Sequence, residues 1–186
     1  MGTYNDIIIN RSNEILYNKG LTSTSIEEII IHCGVSRRTF YKNFRNKKDI
    51  ICAVLERRSG LFCDAIHEAT APCTSQREII MSIFHALTEW HERFGFHGCL
   101  FQAAFSQYGH DSDKIFEISR SHKKQLQRIL MNAFASVSTI QADIFANSIL
   151  ILMEGATALG NFGRPAEQIE RAKDVAIQLL DDGRED

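Results

Sequence analysis

With 186 residues, of which 44% are hydrophobic and 24% charged, the chain can bury a sizeable core and still keep a solvated surface, which excludes large-scale disorder. Two prolines in the whole length leave long stretches free of helix breakers. The net charge of −2 conceals a division, because residues 1–60 sum to +4 and the remainder to −6.

Residues 5–19 place Ile8, Ile9, Ile15 and Leu16 at helical spacing, and Gly20 is suited to ending that helix. Thr24 or Ser25, followed three residues on by Glu27 or Glu28, has the capping-box pattern and predicts a short helix over 26–33. Its apolar face would be Ile26, Ile29 and Ile30. Gly34 suits a left-handed turn, Val35 an inter-helix plug, and Ser36 the cap of a further helix over 37–44. A long helix is expected over 48–69, another over 76–94 and a short apolar one over 99–107. Further long helices are expected over 113–135, 139–159 and 165–180, the last with Pro165 in its first turn. No repeat, low-complexity tract or strand pattern is evident.

Five cysteines, at 33, 52, 63, 73 and 99, are odd in number and form no close pair. The first residues lack a signal-peptide pattern, and no apolar run nears the ~20 residues needed to span a bilayer. The expectation is a cytoplasmic protein with reduced thiols and no membrane partner.

Between Gly34 and Lys48 stand six bases (Arg37, Arg38, Lys42, Arg45, Lys47, Lys48) and no acid. Phe40 and Phe44, four apart, form the buried side of the third helix, which turns Arg37, Arg38, Tyr41 and Lys42 toward solvent. This is the layout of a helix-turn-helix, whose second helix enters a major groove only if its outward residues are polar and positive. Arg can bridge two guanine acceptors, whereas Lys and Tyr suit phosphate oxygens. The plain alternative is a solvated basic surface, which does not account for the turn pattern attached to it.

Residues 8–58 resemble the DNA-binding domain of the TetR-type repressor family. The matching stretches are Gly20-Leu21-x-x-Thr24-Ser25, then Ile29 to Gly34-Val35-Ser36, then Thr39-Phe40-Tyr41-Lys42-x-Phe44-x-Asn46-Lys47-Lys48-Asp49. Arg11, Ser12, Ile30 and Cys33 stand where the family usually has small residues, and Arg38 where it often has Gly or Ala. The resemblance implies an all-α protein: a head over 1–48, with its helix-turn-helix at 25–44, and an effector-binding and dimerisation body over 49–186. It implies a homodimer whose two heads, about one DNA turn apart (~34–36 Å), read a palindromic operator. DNA would be met by Ser25, Ser36, Arg37, Arg38, Thr39, Tyr41, Lys42 and Lys47.

By the same resemblance the last two helices pack against their symmetry mates, through Phe145, Ile149, Leu152, Met153, Ala156, Ile169, Ala172 and Ala176. An effector pocket would lie among helices 76–135, where Phe84, Trp90, Phe94, Phe101, Phe105 and Phe116 concentrate; each can equally be ordinary core. Cys99, after His97 and Gly98 and at a helix start, is open to two readings: an oxidant- or electrophile-sensing thiol, or a small buried hydrophobe. No catalytic constellation, cofactor motif or metal-ligand spacing is found; His85, His91, His97 and His110 with Glu89 and Glu92 lack a recognised ligand pattern. The expectation is thus a ligand-responsive regulator, most simply a repressor, with a helical-bundle enzyme or an adaptor as weaker alternatives that leave the bases at 37–48 unexplained.

Overall fold

The computed structural model describes residues 4–109, 112–137 and 142–182, so residues 110–111, between the helices expected over 99–107 and 113–135, and the helix start expected at Thr139 lie outside them. All regular structure among the described residues is helical: α1 (Tyr4–Lys19), α2 (Ile26–Cys33), α3 (Arg37–Asn43), α4 (Lys47–Thr70), α5 (Gln76–Phe94), α6 (Leu100–Tyr108), α7 (Asp113–Val137), α8 (Ala142–Gly160) and α9 (Pro165–Asp182). The predicted order is found, with ends displaced by a few residues.

Two compact units form. The first takes in Met1–Gly60 and Leu100–Ser121, and so adds α6 and the start of α7 to the N-terminal helices. Ile8, Leu16, Ile29, Phe40, Ile50 and Leu55 are its fully buried anchors, supplied by α1 to α4. Ile8 and Leu16, eight apart on α1, and Ile51 and Leu55, four apart on α4, each fall on one helix face, which lets these helices bury a common side.

The second unit comprises Leu61–Cys99 and His122–Asp186. Its core joins Phe62 and Ile66 of α4, Ile79, Ile80, Ile83 and Phe84 of α5, Leu126, Leu130 and Phe134 of α7, and the inner faces of α8 and α9. Ser75 caps α5 by accepting from the Glu78 N–H at 3.2 Å, which satisfies one of the orphan donors at that helix start.

α8 corrects the expectation that no stretch is apolar enough to cross a bilayer. An 18-residue stretch of this 19-residue helix is apolar enough to cross a membrane by length and composition alone. Small and polar residues interrupt the run, Ile and Leu between them keep its mean high, and Asp143 and Glu154 are its two charges. In this chain its inner residues Phe145, Ile149, Met153 and Ala156 are buried in the core of the second unit.

Candidate nucleic-acid interface

The basic face is built on a stack of local caps. Ser25 ends the extended approach to α2, and its Oγ accepts from the Glu28 N–H at 3.2 Å while its own N–H donates to Glu28 Oε2 at 2.7 Å. This is the reciprocal capping box, with Ser25 and Glu28 chosen from the two candidate pairs. The Lys19 ammonium at the end of α1 pairs with the same carboxylate. That ammonium first, and the Ser25 N–H and hydroxyl next, hold the Glu28 carboxyl down at about 2.

α2 ends at Gly34, which adopts φ 64° and ψ 32°, a left-handed conformation that a Cβ would strain. The Gly34 N–H donates to Ile31 O at 3.0 Å and the Val35 N–H to Ile30 O at 3.4 Å, closing the last carbonyls of the helix. Ser36 then caps α3, its Oγ accepting from the Thr39 N–H at 3.1 Å. A third cap follows: the Asp49 N–H donates to Asn46 Oδ1 and the Arg45 N–H to Asp49 Oδ2, each at 3.0 Å. Three caps within 25 residues leave α3 little freedom to rotate about its axis.

Behind the turn, three of the departures, Arg11, Ser12 and Cys33, are linked. Arg11 Nη1 donates to His32 O and Cys33 O, both at 3.4 Å, so a cation lies at the negative end of α2. Ser12 Oγ lies 3.5 Å from Cys33 Sγ, and the Cys33 thiol donates to Ile8 O at 3.6 Å. Burial pushes the Cys33 thiol up, so it stays protonated as a donor.

α3 is oriented by Phe40 and Phe44, both buried, with ring centroids 5.6 Å apart. Its opposite side carries Arg37, Arg38, Tyr41 and Lys42, all exposed. Tyr41, 46% exposed, meets Phe40 edge to face at 5.6 Å and presents its ring outward. Arg37 Nη2 lies 3.3 Å from Glu27 Oε1, with 71% and 51% of the two side chains exposed, so the pair is a surface one and not an internal lock.

The other predicted contacts are placed differently. The Ser25 and Ser36 hydroxyls are exposed but engaged as caps, and Thr39 is half-buried with Oγ1 2.9 Å from Ser36 Oγ. Lys47 is half-buried, donates to Thr22 O at 3.4 Å, and is pushed down by burial. Arg45, which the base count included but the contact list did not, is exposed beside the α4 cap.

The eight residues expected at a dimer interface lie on the inner sides of α8 and α9. Phe145, Ile149, Met153, Ala156, Ile169, Ala172 and Ala176 are buried within the chain's own core, and Leu152 is half-buried against it. A helix of the bundle has one face for its own chain, and the strongest apolar stripe takes it. The apolar residues left exposed are Ile144, Ile151 and Leu159 on α8 and Val175 and Leu179 on α9.

The aromatic residues assigned to an effector pocket fall into different units. In the second, Trp90 stands 4.9 Å from Phe62 and 4.4 Å from Phe94 between ring centroids, and Phe84 is buried core. In the first, Phe105 and Phe116 are 5.8 Å apart, and Phe101 is buried. A cleft of about 470 Å³ between α5 and α9 is lined by Phe84 together with Met81, His85, Thr88, Glu170 and Lys173. No group of three or more His, Cys, Asp or Glu side chains able to hold a metal occurs among the described residues.

A rigidly capped helix with a cationic outer face, held by a left-handed glycine turn on a preceding helix, defines a helix-turn-helix DNA-binding protein. Residues 8–54 match the family described as bacterial regulatory proteins, tetR family. The fold is shared over nearly the full length with a TetR-family transcriptional regulator from Streptomyces coelicolor (TM-score 0.86, 20% identity, 96% of this chain and 95% of that one). It is shared as well with a TetR transcriptional regulator from Legionella pneumophila (0.82, 15%, 96% and 98%) and the regulatory protein TetR from Rhodobacter sphaeroides (0.79, 22%, 92% and 95%). Residues 8–54 are thus similar to the tetR family of bacterial regulatory proteins, and the chain as a whole shares the fold of TetR-family transcriptional regulators.

Proposed function

We propose that the protein is a ligand-responsive repressor that binds a palindromic operator as a homodimer. The observation that carries the reading is the exposed face of α3, where Arg37, Arg38, Tyr41 and Lys42 stand outward on a helix fixed at both ends. Its two arginines suit bidentate contacts to guanine, and Tyr41 and Lys42 suit phosphate. An isolated head of this size covers few base pairs, so two heads on one duplex supply the affinity that one lacks.

The exposed apolar residues of α8 and α9 support the homodimer. Ile144, Ile151 and Leu159 are spaced seven and eight apart, which puts them on one stripe, and Val175 and Leu179 are four apart on α9. A small-molecule effector would act by favouring dimers whose heads do not match the operator spacing. The experiment is a gel-shift with the DNA upstream of the protein's own gene. Retarded DNA with the wild type and none with Arg37→Ala, Tyr41→Ala and Lys42→Ala combined is the expected result. Equal retardation by both proteins would overturn the reading.

A further inference from the structure

Arg37 and Arg38 adjoin in sequence but stand on different sides of α3. At about 100° per residue, a position two before or two after a given residue lies about 160° from it, nearly opposite. Phe40 is fully buried, so Arg38 and Lys42, both exposed, occupy the crown of the outward face. Arg37 and Tyr41 lie on one flank, about 60–100° from Phe40, and Thr39 and Asn43 on the other.

The contacts agree with this division. The Arg37 guanidinium lies 3.3 Å from the Glu27 carboxylate of α2, and the Tyr41 ring meets the Phe40 ring edge to face at 5.6 Å. On the other flank Thr39 Oγ1 is 2.9 Å from Ser36 Oγ, and Asn43 Nδ2 donates to Thr39 O at 2.8 Å. Among the described residues, no hydrogen bond, ion pair or ring contact engages the Arg38 or Lys42 side chain. Arg45 follows Phe44, whose φ −134° and ψ 122° end the helix, so it does not extend their line.

We propose that Arg38 is the residue that selects sequence, by donating to N7 and O6 of one guanine in each operator half-site, while Arg37 and Tyr41 hold flanking phosphates. The inference rests on the operator-binding reading and adds to it which residue reads which base. A helix lying in a major groove turns its crown to the base edges and its flanks to the two walls, where the phosphates stand. A guanidinium is a planar fork that fits two acceptors at once, and among base edges in that groove the N7 and O6 pair is guanine's alone. Lys42, on the same crown, carries a point charge and supplies attraction without the fork. Arg38 has no partner to give up on binding, whereas Arg37 must first leave Glu27.

The test offers the full-length protein a pool of random duplexes, sequences the enriched sites, and then measures anisotropy at one fixed salt concentration. Wild type is expected to enrich a two-fold symmetric site with a guanine at one position of each half. Replacing that base pair in one half should weaken binding about tenfold. Arg38→Ala should become indifferent at that position and keep the other preferences. Arg38→Lys should also lose the preference while keeping the salt dependence of wild type, because the charge stays and the fork goes. Arg37→Ala should keep the guanine and weaken binding to all duplexes alike. A guanine preference retained by Arg38→Ala, or lost with Arg37→Ala, overturns the inference and leaves operator binding standing. A wild type that enriches no sequence overturns the operator reading, and the inference with it.

Discussion

The Arg37 guanidinium lies 3.3 Å from the Glu27 carboxylate, joining the first turn of α3 to the first turn of α2 across the outside of the helix-turn-helix. Both side chains are largely exposed, and ion pairs of that kind contribute roughly 0–1 kcal/mol. The pair is weak enough to open when a phosphate or a guanine edge competes for the guanidinium. It also sets a negative charge beside the cationic face of α3. Glu27→Gln should therefore leave thermal stability within ~1 kcal/mol and strengthen DNA binding about two- to fivefold at low salt, with the gain shrinking as salt rises. Fluorescence anisotropy over a salt series checks this. Weaker binding by the variant would mean that Glu27 positions Arg37 for the duplex.

Acid should loosen the head through Glu28. Its folded-state carboxyl, at about 2, lies below the ordinary 4.5 because the Lys19 ammonium and then the Ser25 donors favour the ionised form. A depressed folded value stabilises the protein above the unfolded one. That contribution is present in full above about pH 4.5 and is lost as pH falls toward 2. Glu28→Gln and Lys19→Met should each flatten the stability profile in that window while changing little of its slope elsewhere. Urea midpoints between pH 2 and 5 measure it, and variant profiles that superimpose on the wild type would refute the assignment.

The left-handed turn makes a further demand on the chain. Gly34 has φ +64°, and a Cβ there would meet only the tip of Arg11, at 3.4 Å from Nη1, so strain and not collision decides the cost. Gly34→Ala should destabilise the protein by about 1 kcal/mol. Gly34→Asn should cost less, because a short polar side chain tolerates this region. Thermal melts of the two variants give the order. An alanine variant as stable as the wild type would mean that the turn relaxes out of the left-handed region.

Most of the head could be read from residue types, because each of its devices is local. Ser25 with Glu28, Gly34, and Ser36 before two bases act over three or four residues, and sequence spacing is spatial spacing at that range. Phe40 and Phe44 likewise fixed which side of α3 faces outward. The linkage of Arg11 and Ser12 with Cys33 was not legible, since 21 or 22 residues separate the partners and nothing in either helix names the other. The same holds for Lys123 of α7, whose ammonium donates to Cys99 Sγ at 3.5 Å. On α8 and α9 the apolar pattern was seen, but whether it faces the chain's own core or a second copy was not legible. Phe145 and Ile149 look like any interface residues until the chain's own core is shown to take them, and the weaker stripe through Ile151 and Leu159 remains outside.

In the proposed homodimer that weaker stripe is the apolar surface left for a second copy to cover. Ile151 and Leu159 on α8 and Val175 and Leu179 on α9 are exposed, whereas charged residues are depleted from the centres of protein interfaces. If a second copy covers them, a charge placed there is desolvated without a partner in the dimer but lies in water in the monomer. Ile151→Glu with Leu179→Glu should thus shift sedimentation from dimer to monomer while each chain keeps its helical circular dichroism, because neither side chain supports the inner core. Operator affinity should fall steeply, since two tethered heads give way to separate ones. A double variant that still sediments as a dimer would place the contact between copies elsewhere on the chain, and the two heads would then need another route to a shared duplex.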